Sequence, residues 1–136
     1  MKFHYIEERG LEEERVFRPF IPITFQYQKI RIDTHGLIDS GSDYTILPMQ
    51  FAKDLGITLN FQSGYRLSTA NEEALAVYKS PVKIQQILRE KGHRDIINES
   101  HVYFSSINIP LLGQKGFLEN LNVWLKGYSR KITITA

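Results

Sequence analysis

The stretch Leu37-Ile38-Asp39-Ser40-Gly41-Ser42-Asp43-Tyr44-Thr45-Ile46-Leu47-Pro48 decides the fold of this chain. Its centre, residues 39–43, is a cluster of turn-forming residues that contains one glycine. The cluster follows the apolar step 37–38 and leads into the strand-like segment 44–47. The pattern predicts that Asp39 lies on a tight loop between buried strands, where the loop exposes its carboxylate on a rigid support.

The segments on either side of this loop have clear periodicities. Apolar residues alternate from Phe20 to Ile32, which predicts two half-buried strands joined near Tyr27. After the loop, Pro48 suits the first position of a helix and Gly56 suits its end. We therefore expect a short helix at about 48–55.

Alternation returns at residues 65–87 and predicts a long hairpin with a polar tip at 71–73. The segment 85–94 has apolar residues too sparse to choose between a helix and a strand followed by a turn. Short apolar segments further along predict strands, and one segment predicts one or two helical turns. The strands are 102–104, 123–125 and 131–134, the segment 109–113 is another apolar step like 37–38, and the helical segment is 116–120.

Length and composition indicate one ordinary globular domain. The chain has 136 residues, of which 42% are hydrophobic and 24% charged, and these values argue against disorder and membrane insertion. Residues 1–18 read as an N-terminal extension, a peripheral strand followed by a solvated loop, and residues 19–136 as the domain. The fold class expected is all-β, with one or two short helices.

Charge and cysteine content exclude several kinds of function. A net charge of +2, carried by dispersed residues, is too small to indicate nucleic acid as the main partner. Because the chain has no cysteine, it has no disulfide, no thiolate nucleophile and no zinc–thiolate site. The sequence shows neither a membrane-spanning run nor a signal-peptide core, so we expect a cytoplasmic protein that does not bind membranes.

A lone carboxylate on such a loop suggests hydrolysis only if it has a partner. Two adjacent carboxyl groups that share a proton can activate a water molecule and also protonate the leaving nitrogen of an amide. Asp-Ser/Thr-Gly occurs once here, at 39–41, because the near repeat Asp33-Thr34-His35 lacks the glycine. The second carboxyl must therefore come from another copy, brought to Asp39 by a two-fold axis, and this predicts a homodimer.

Two segments together resemble a known family. LIDSGSDYTILP, followed by a short helix ending in LGI, resembles the active-site segment of retropepsin-like aspartic proteases. IPLLGQKGFLENLNVWL is similar to that family's Leu-Gly-Arg-x-Phe-Leu segment, in which an apolar strand passes beside the catalytic loop. The resemblance covers roughly residues 19 to 135. It implies a closed β-barrel of the acid-protease fold and an endopeptidase that cleaves extended peptides without a cofactor or metal.

The resemblance also implies residue roles. Asp39 would be the catalytic carboxylate, and Gly41 would let the substrate backbone approach it. Ser40 would bond across the dimer axis to the opposite loop and hold the two aspartates in register. Ser42 and Asp43 would line the substrate cleft and meet the peptide main chain.

The chain departs from the family pattern in three places, one of which is the stretch Gln85 to Ser100, longer and more polar than a minimal retropepsin requires. Gln114 stands where the family usually has arginine, so an ion pair that braces Asp43 or the dimer base is expected to be absent. Residues near 66–77 would be the flap that excludes water on closing, yet they include no glycine and carry Glu72 and Glu73 at the tip.

These departures keep an alternative open, which is a catalytically silent retropepsin-fold module that binds peptides or supports assembly. A third possibility is a monomer in which Asp39 is exposed and idle. A cation site built from Asp33, Asp39 and Asp43 matches no supported loop motif. Neither Ser40 nor Ser42 lies in G-x-S-x-G, which argues against a serine hydrolase. The four histidines lack metal-ligand spacing.

Overall fold

A computed structural model describes residues 1–68 and 74–136 of the chain. The predicted hairpin tip, with Asn71, Glu72 and Glu73, lies outside these residues. Short strands dominate the described part, with one α-helix, α1, at Met49–Asp54 and single 3₁₀ turns at Phe61–Ser63 and Leu118–Asn120. The strands are β1 (Lys2–His4), β2 (Ile6–Arg9), β3 (Arg15–Arg18), β4 (Phe20–Tyr27), β5 (Ile30–Ile38), β6 (Ile46–Pro48), β7 (Tyr65–Ser68), β8 (Ala74–Lys79), β9 (Ile84–Leu88), β10 (Ile96–Ser100), β11 (Tyr103–Ser105), β12 (Leu111–Leu112), β13 (Asn122–Lys126) and β14 (Lys131–Thr135).

The main sheet has the strand order β10-β9-β4-β5-β12-β6-β11-β8-β7 and curls into a half-barrel. Strands β4 and β5 pair antiparallel along their whole length, from Phe20 opposite Leu37 to Tyr27 opposite Ile30. This confirms the two strands joined near Tyr27. Alternate side chains of β4 face the core, because successive residues of a strand point to opposite faces of the sheet.

The two-residue strand β12 is inserted between β5 and β6. It runs parallel to β5, with Leu112 opposite Ile38, and antiparallel to β6, with Leu111 opposite Ile46. The chain that joins β5 to β6 must therefore cross the end of β12. Residues 39–45 make this crossing, so the predicted loop is held on both sides by paired strands.

Helix α1 confirms the short helix predicted at about 48–55. Pro48 precedes its first residue and Gly56 follows its last turn in the left-handed conformation, with φ of 73°. Glycine adopts this conformation without a steric penalty, which is why helices often end at one. Ala52 and Leu55 are buried and attach the helix to the core.

The long hairpin predicted at 65–87 is wrong in its second half. Strands β7 and β8 do pair antiparallel, but β9 pairs with β4 and β10 instead. Buried Ser80, followed by Pro81, ends β8 in a turn in which the Ser80 hydroxyl donates to the carbonyl oxygen of Val82 at 2.6 Å. The segment 85–94, left open above, is therefore a strand followed by a turn.

The first 18 residues form two different structures. Strand β1 pairs with β14, and Phe3 is buried in the core beside Ile132 and Ile134. The expected solvated loop is instead an exposed hairpin of β2 and β3. Its cross-strand ion pairs, Arg15 with Glu7 and Arg18 with Glu8, were not evident from the sequence because they join residues eight and ten apart.

One apolar core holds these layers together. Its largest fully buried apolar side chains come from five strands of the main sheet, from β14, and from the ends of α1 and the second 3₁₀ turn. They are Phe25, Phe104, Phe117, Ile21, Leu47, Leu55, Ile84, Leu88, Leu112, Ile132 and Ile134. The confirmed fold class is mainly β, with one short helix. Among the described residues no helix has both the length and the apolar character needed to cross a membrane.

Candidate active site

The loop at Asp39 is a hydrogen-bonded turn. The amide of Ser42 donates to the carbonyl oxygen of Asp39 at 3.1 Å, and the amide of Gly41 donates to the Asp39 carboxylate oxygen Oδ1 at 3.0 Å. A Cβ at Gly41 would lie 3.3 Å from that same oxygen. A glycine here therefore orients the carboxylate through its amide and leaves the space beside it open.

Strand β12 supports the loop from its start. The amide of Asp39 donates to the carbonyl oxygen of Leu112 at 3.0 Å, which continues the β5–β12 pairing by one residue. Leu112 is fully buried, so the support beneath Asp39 is packed into the core. The carboxylate thus projects from the end of a rigid strand, as the sequence predicted.

Gly113 lets the chain after β12 touch the loop. A Cβ at this position would lie 2.2 Å from the carbonyl oxygen of Tyr44 and 2.6 Å from that of Ser42, distances that real Cβ atoms do not show. The amide of Gly113 donates to the hydroxyl of Thr45 at 3.2 Å, and Thr45 is fully buried. Thr45 was not singled out from the sequence, although a polar residue beside the apolar pair Ile46–Leu47 is a signal of such a bond.

Gln114 fastens the tip of the loop. Its side-chain amide Nε2 donates to the carbonyl oxygen of Ser40 at 2.9 Å, and its backbone amide donates to the carbonyl oxygen of Ser42 at 2.9 Å. Lys115 adds a third bond, from its amide to the carbonyl oxygen of Asp43 at 2.8 Å. The position that lacks the usual arginine therefore has a neutral contact with the same loop.

An open cleft of about 370 Å³ lies over the loop. Two cross-strand apolar pairs form its walls, Leu67 with Leu75 in the β7–β8 hairpin and Ile46 with Leu111 at the sheet. Its other lining residues are Asp39, Gly41, Ser42, Asp43 and Ser68. A cleft of this size with apolar walls and a carboxylate at its floor suits a side chain of a peptide rather than a small ion.

The structure brings four of the five predicted site residues to this cleft. Asp39, Gly41, Ser42 and Asp43 line it, whereas Ser40 faces solvent, and its carbonyl oxygen is bonded to the side chain of Gln114. The four wall residues are additions that the sequence did not identify as a set, because they come from four separate strands. Asp33 lies six residues before Asp39 on β5, roughly 20 Å along the strand, and bonds to Thr24.

Three tyrosines, one of them Tyr44 of the loop, pack against one another. The ring of Tyr103 lies 4.9 Å from that of Tyr44 and 6.4 Å from that of Tyr65, both edge to face. Burial raises the pKa of the Tyr103 hydroxyl above its ordinary value, and the neighbouring tyrosines raise that pKa further. The edge-to-face contact with Tyr103 packs the Tyr44 ring against β11.

Comparison with known proteins identifies the fold. No protein-family model matches the chain, and no curated protein matches it. A solved structure of a retropepsin-like aspartic protease from Rickettsia conorii is similar to it, with 14% sequence identity and a TM-score of 0.52 over 99% of this chain and 98% of that one.

A structure of EIAV protease with the inhibitor HBY-793 is also similar, with 16% identity and a TM-score of 0.50 over 83% of this chain and 92% of that one. At these identities the likeness concerns the fold alone. The chain has a retropepsin-like fold, as the two sequence segments predicted.

Proposed function

We propose that this protein is an aspartic endopeptidase that works as a homodimer, with the Asp39 carboxyls of two subunits side by side. The observation that carries the proposal is the placement of Asp39 at the floor of a peptide-sized cleft, on a loop that six hydrogen bonds to residues 112–115 hold in place. The retropepsin-like fold supports it. A second copy related by a two-fold axis would supply the other carboxyl.

In the proposed reaction, one Asp39 carboxyl is ionised and the other is protonated. The ionised group takes a proton from a water molecule as the water oxygen attacks the peptide carbonyl carbon, and the protonated group gives its proton to the carbonyl oxygen. The tetrahedral intermediate then breaks at its C–N bond. The carboxyl that took the water proton passes it to the leaving nitrogen, and the other carboxylate takes a proton back from one hydroxyl of the intermediate. The products are a carboxylic acid and an amine, and the pair of carboxyls again holds one proton.

The remaining site residues have supporting roles in this proposal. The amide of Gly41 orients the carboxylate of its own subunit, and the open space beside this glycine receives the substrate backbone. Ser42 and Asp43 meet the peptide main chain along the cleft. The apolar pairs Leu67–Leu75 and Ile46–Leu111 receive apolar side chains of an extended substrate.

Substituting Asp39→Asn tests the proposal. The variant keeps the shape of the side chain and its acceptor for the Gly41 amide, so we expect the protein to fold and associate normally while cleavage of a peptide library falls by at least about a thousandfold. Asp33→Asn is the matched control, since Asp33 lies outside the cleft on β5, the strand that leads into the Asp39 loop. It should cleave at the wild-type rate.

The same assay separates the alternative function. Cleavage by Asp39→Asn at the wild-type rate would falsify the proposed chemistry. Wild-type protein that binds extended peptides but cleaves none between about pH 3 and pH 7, the range around ordinary carboxyl pKa values, would show a silent peptide-binding module instead.

A further inference from the structure

The carbonyl oxygen of Gly116 is the centre of a buried polar cluster. Three side chains donate hydrogen bonds to it: Asn98 through Nδ2 at 2.8 Å, Ser100 through its hydroxyl at 2.7 Å and Gln86 through Nε2 at 3.0 Å. We call these three side chains and the Gly116 carbonyl the Gly116 hub. The three donors share the two lone pairs of this oxygen and hold the peptide group from three residues on two strands.

Further bonds join the three side chains to one another. Gln86 also donates to the Ser100 hydroxyl at 2.9 Å and accepts from Asn98 at 3.0 Å. Asn98 accepts in turn from the side chain of Asn120 at 3.0 Å. Because the Gly116 oxygen can only accept, each side chain must present a donor to it, and this requirement sets the orientation of both amide groups.

The backbone of Gly116 is turned toward these donors. Its φ is 91°, a conformation that residues with a Cβ rarely adopt, and a Cβ there would lie 3.2 Å from the carbonyl oxygen of His101. The amide of the same residue donates to the carboxylate of Glu119 at 3.0 Å. Hydrogen bonds therefore hold Gly116 at both its N–H group and its carbonyl group.

The segment just before Gly116 is the one that holds the Asp39 loop. Lys115 donates its amide to Asp43 and accepts at its carbonyl oxygen from the amide of Thr45 at 2.9 Å, while Gln114 binds the loop tip as described above. A shift of the Gly116 peptide would move these groups with it, because one or two covalent residues separate them from the hub.

We propose that Gln86, Asn98 and Ser100 are positioning residues for the catalytic loop, acting through the Gly116 carbonyl and the 113–115 segment. This inference rests on the proposed function for its kinetic consequence. It assigns to strands β9 and β10, which do not line the cleft, control over where the Asp39 carboxylate points.

The chemistry of the cluster favours this role over simple filling of the core. Gln86 is fully buried and its strand neighbours Ile87 and Leu88 are also buried and apolar. A methionine would fill the same space without removing polar atoms from water. Burying the glutamine amide therefore has a desolvation cost that methionine would avoid, unless the hydrogen bonds of the amide are needed. The amide makes directional hydrogen bonds to one peptide group, and methionine cannot make them.

The test uses Ser100→Ala, with Ser80→Ala as the matched control. Both serines donate a hydroxyl to a backbone carbonyl oxygen, and Ser80 is buried outside the hub. Backbone amide hydrogen exchange is followed at Ser42, Gln114 and Lys115 in the full-length protein. We expect exchange at these amides to quicken at least about fivefold in Ser100→Ala, relative to core amides of β4, and to stay unchanged in Ser80→Ala.

Peptide cleavage supplies the second readout. In Ser100→Ala we expect kcat to fall about three- to tenfold with KM within about twofold of wild type, because substrate contacts remain while the carboxylate is less well placed. Gln86→Met should show the same pattern more strongly. If Gln86→Met does not fold, Ser100→Ala decides the matter alone.

Unchanged hydrogen exchange at the amides of Ser42, Gln114 and Lys115 in Ser100→Ala overturns the positioning role, whatever the enzyme activity. Equal effects of Ser100→Ala and Ser80→Ala overturn it as well, because they indicate general loosening. A wild-type protein without peptidase activity defeats the proposed function but leaves the exchange result to decide whether the hub holds the loop.

Discussion

Gly113 shows how a single missing side chain determines the site. The chain passes so close to the loop that a Cβ would overlap two carbonyl oxygens, those of Tyr44 and Ser42. Neither oxygen can move freely, since the Tyr44 oxygen accepts the Ser42 hydroxyl at 2.8 Å and the Ser42 oxygen accepts the amide of Gln114. The close approach is what allows Gln114 and Lys115 to bond to the loop.

We predict that Gly113→Ala destabilises the protein by about 3 kcal/mol or more, because backbone atoms on both sides must shift to admit the methyl group. Gly127→Ala is the control, since a Cβ at Gly127 meets no atom within 4 Å. It should change stability by less than about 0.5 kcal/mol. Urea denaturation of both variants measures the difference, and a small effect of Gly113→Ala would contradict the packing described here.

Gln114 illustrates a limit of comparison by motif. As a departure from the family pattern, Gln114 predicted the absence of an ion pair that braces Asp43 or the dimer base. The amide instead reaches the carbonyl oxygen of Ser40, a neutral acceptor that any residue at position 40 would offer. No sequence pattern records a bond from a side chain to a backbone group 74 residues away.

At the scale of elements, the 3₁₀ turn at Leu118–Asn120 is joined to the preceding segment by the carboxylate of Glu119. Glu119 accepts the amide of Gly116 and pairs with Lys115 at 3.2 Å. The Gly116 bond, followed by the contact with Lys115, lowers the pKa of Glu119 below its ordinary value. A lowered folded-state pKa means that ionised Glu119 stabilises the fold above the unfolded-state pKa and that this stabilisation is lost as pH falls through the folded-state pKa.

We therefore predict that Glu119→Gln lowers the melting temperature by roughly 1 to 3 °C at pH 7, a small effect because the side chain is exposed. The glutamine keeps an acceptor for the Gly116 amide, so the difference reports the charge. The gap between variant and wild type should close as the pH is lowered through the folded-state pKa of Glu119. Glu12→Gln, at the exposed tip of the β2–β3 hairpin, should show no such trend, and a constant gap for Glu119→Gln would exclude the charge as its cause.

The elements that the sequence predicted well are those with local causes. The β4–β5 pair follows from alternation, and α1 follows from a proline before it and a glycine after it. The hairpin of β2 and β3 was missed because its strands bury little apolar surface, and the end of β8 was missed because Ser80 makes its turn through a side-chain bond.

At the scale of the whole molecule, the proposed site is incomplete in one chain. The Asp-Ser-Gly sequence occurs once, and the proposed chemistry uses two carboxyls. A subunit with Asp39→Asn should therefore inactivate any wild-type subunit that pairs with it. This expectation concerns assembly rather than any contact within the chain.

Mixing wild-type protein with the Asp39→Asn variant measures this inactivation. With free subunit exchange, equal amounts leave about a quarter of the dimers fully wild type, so activity per wild-type subunit falls to about one half. A ninefold excess of Asp39→Asn should reduce it to about one tenth. The same excess of an Asp33→Asn, Asp39→Asn double variant should act identically, whereas Asp33→Asn alone should not reduce activity. Activity that is indifferent to added Asp39→Asn would show that one subunit suffices.

The sequence by itself determined the fold class and the loop that carries Asp39, because both depend on local spacing, and its resemblance to retropepsin-like proteases predicted the passage of the LLG segment beside that loop. Only the tertiary structure decided which strands wall the cleft, how Gln114 holds Ser40 and how Gln86, Asn98 and Ser100 meet at Gly116. Those contacts join residues 16 to 74 positions apart or come from separate strands. Their geometry depends on the packing of the whole barrel, which leaves no periodic trace in the chain.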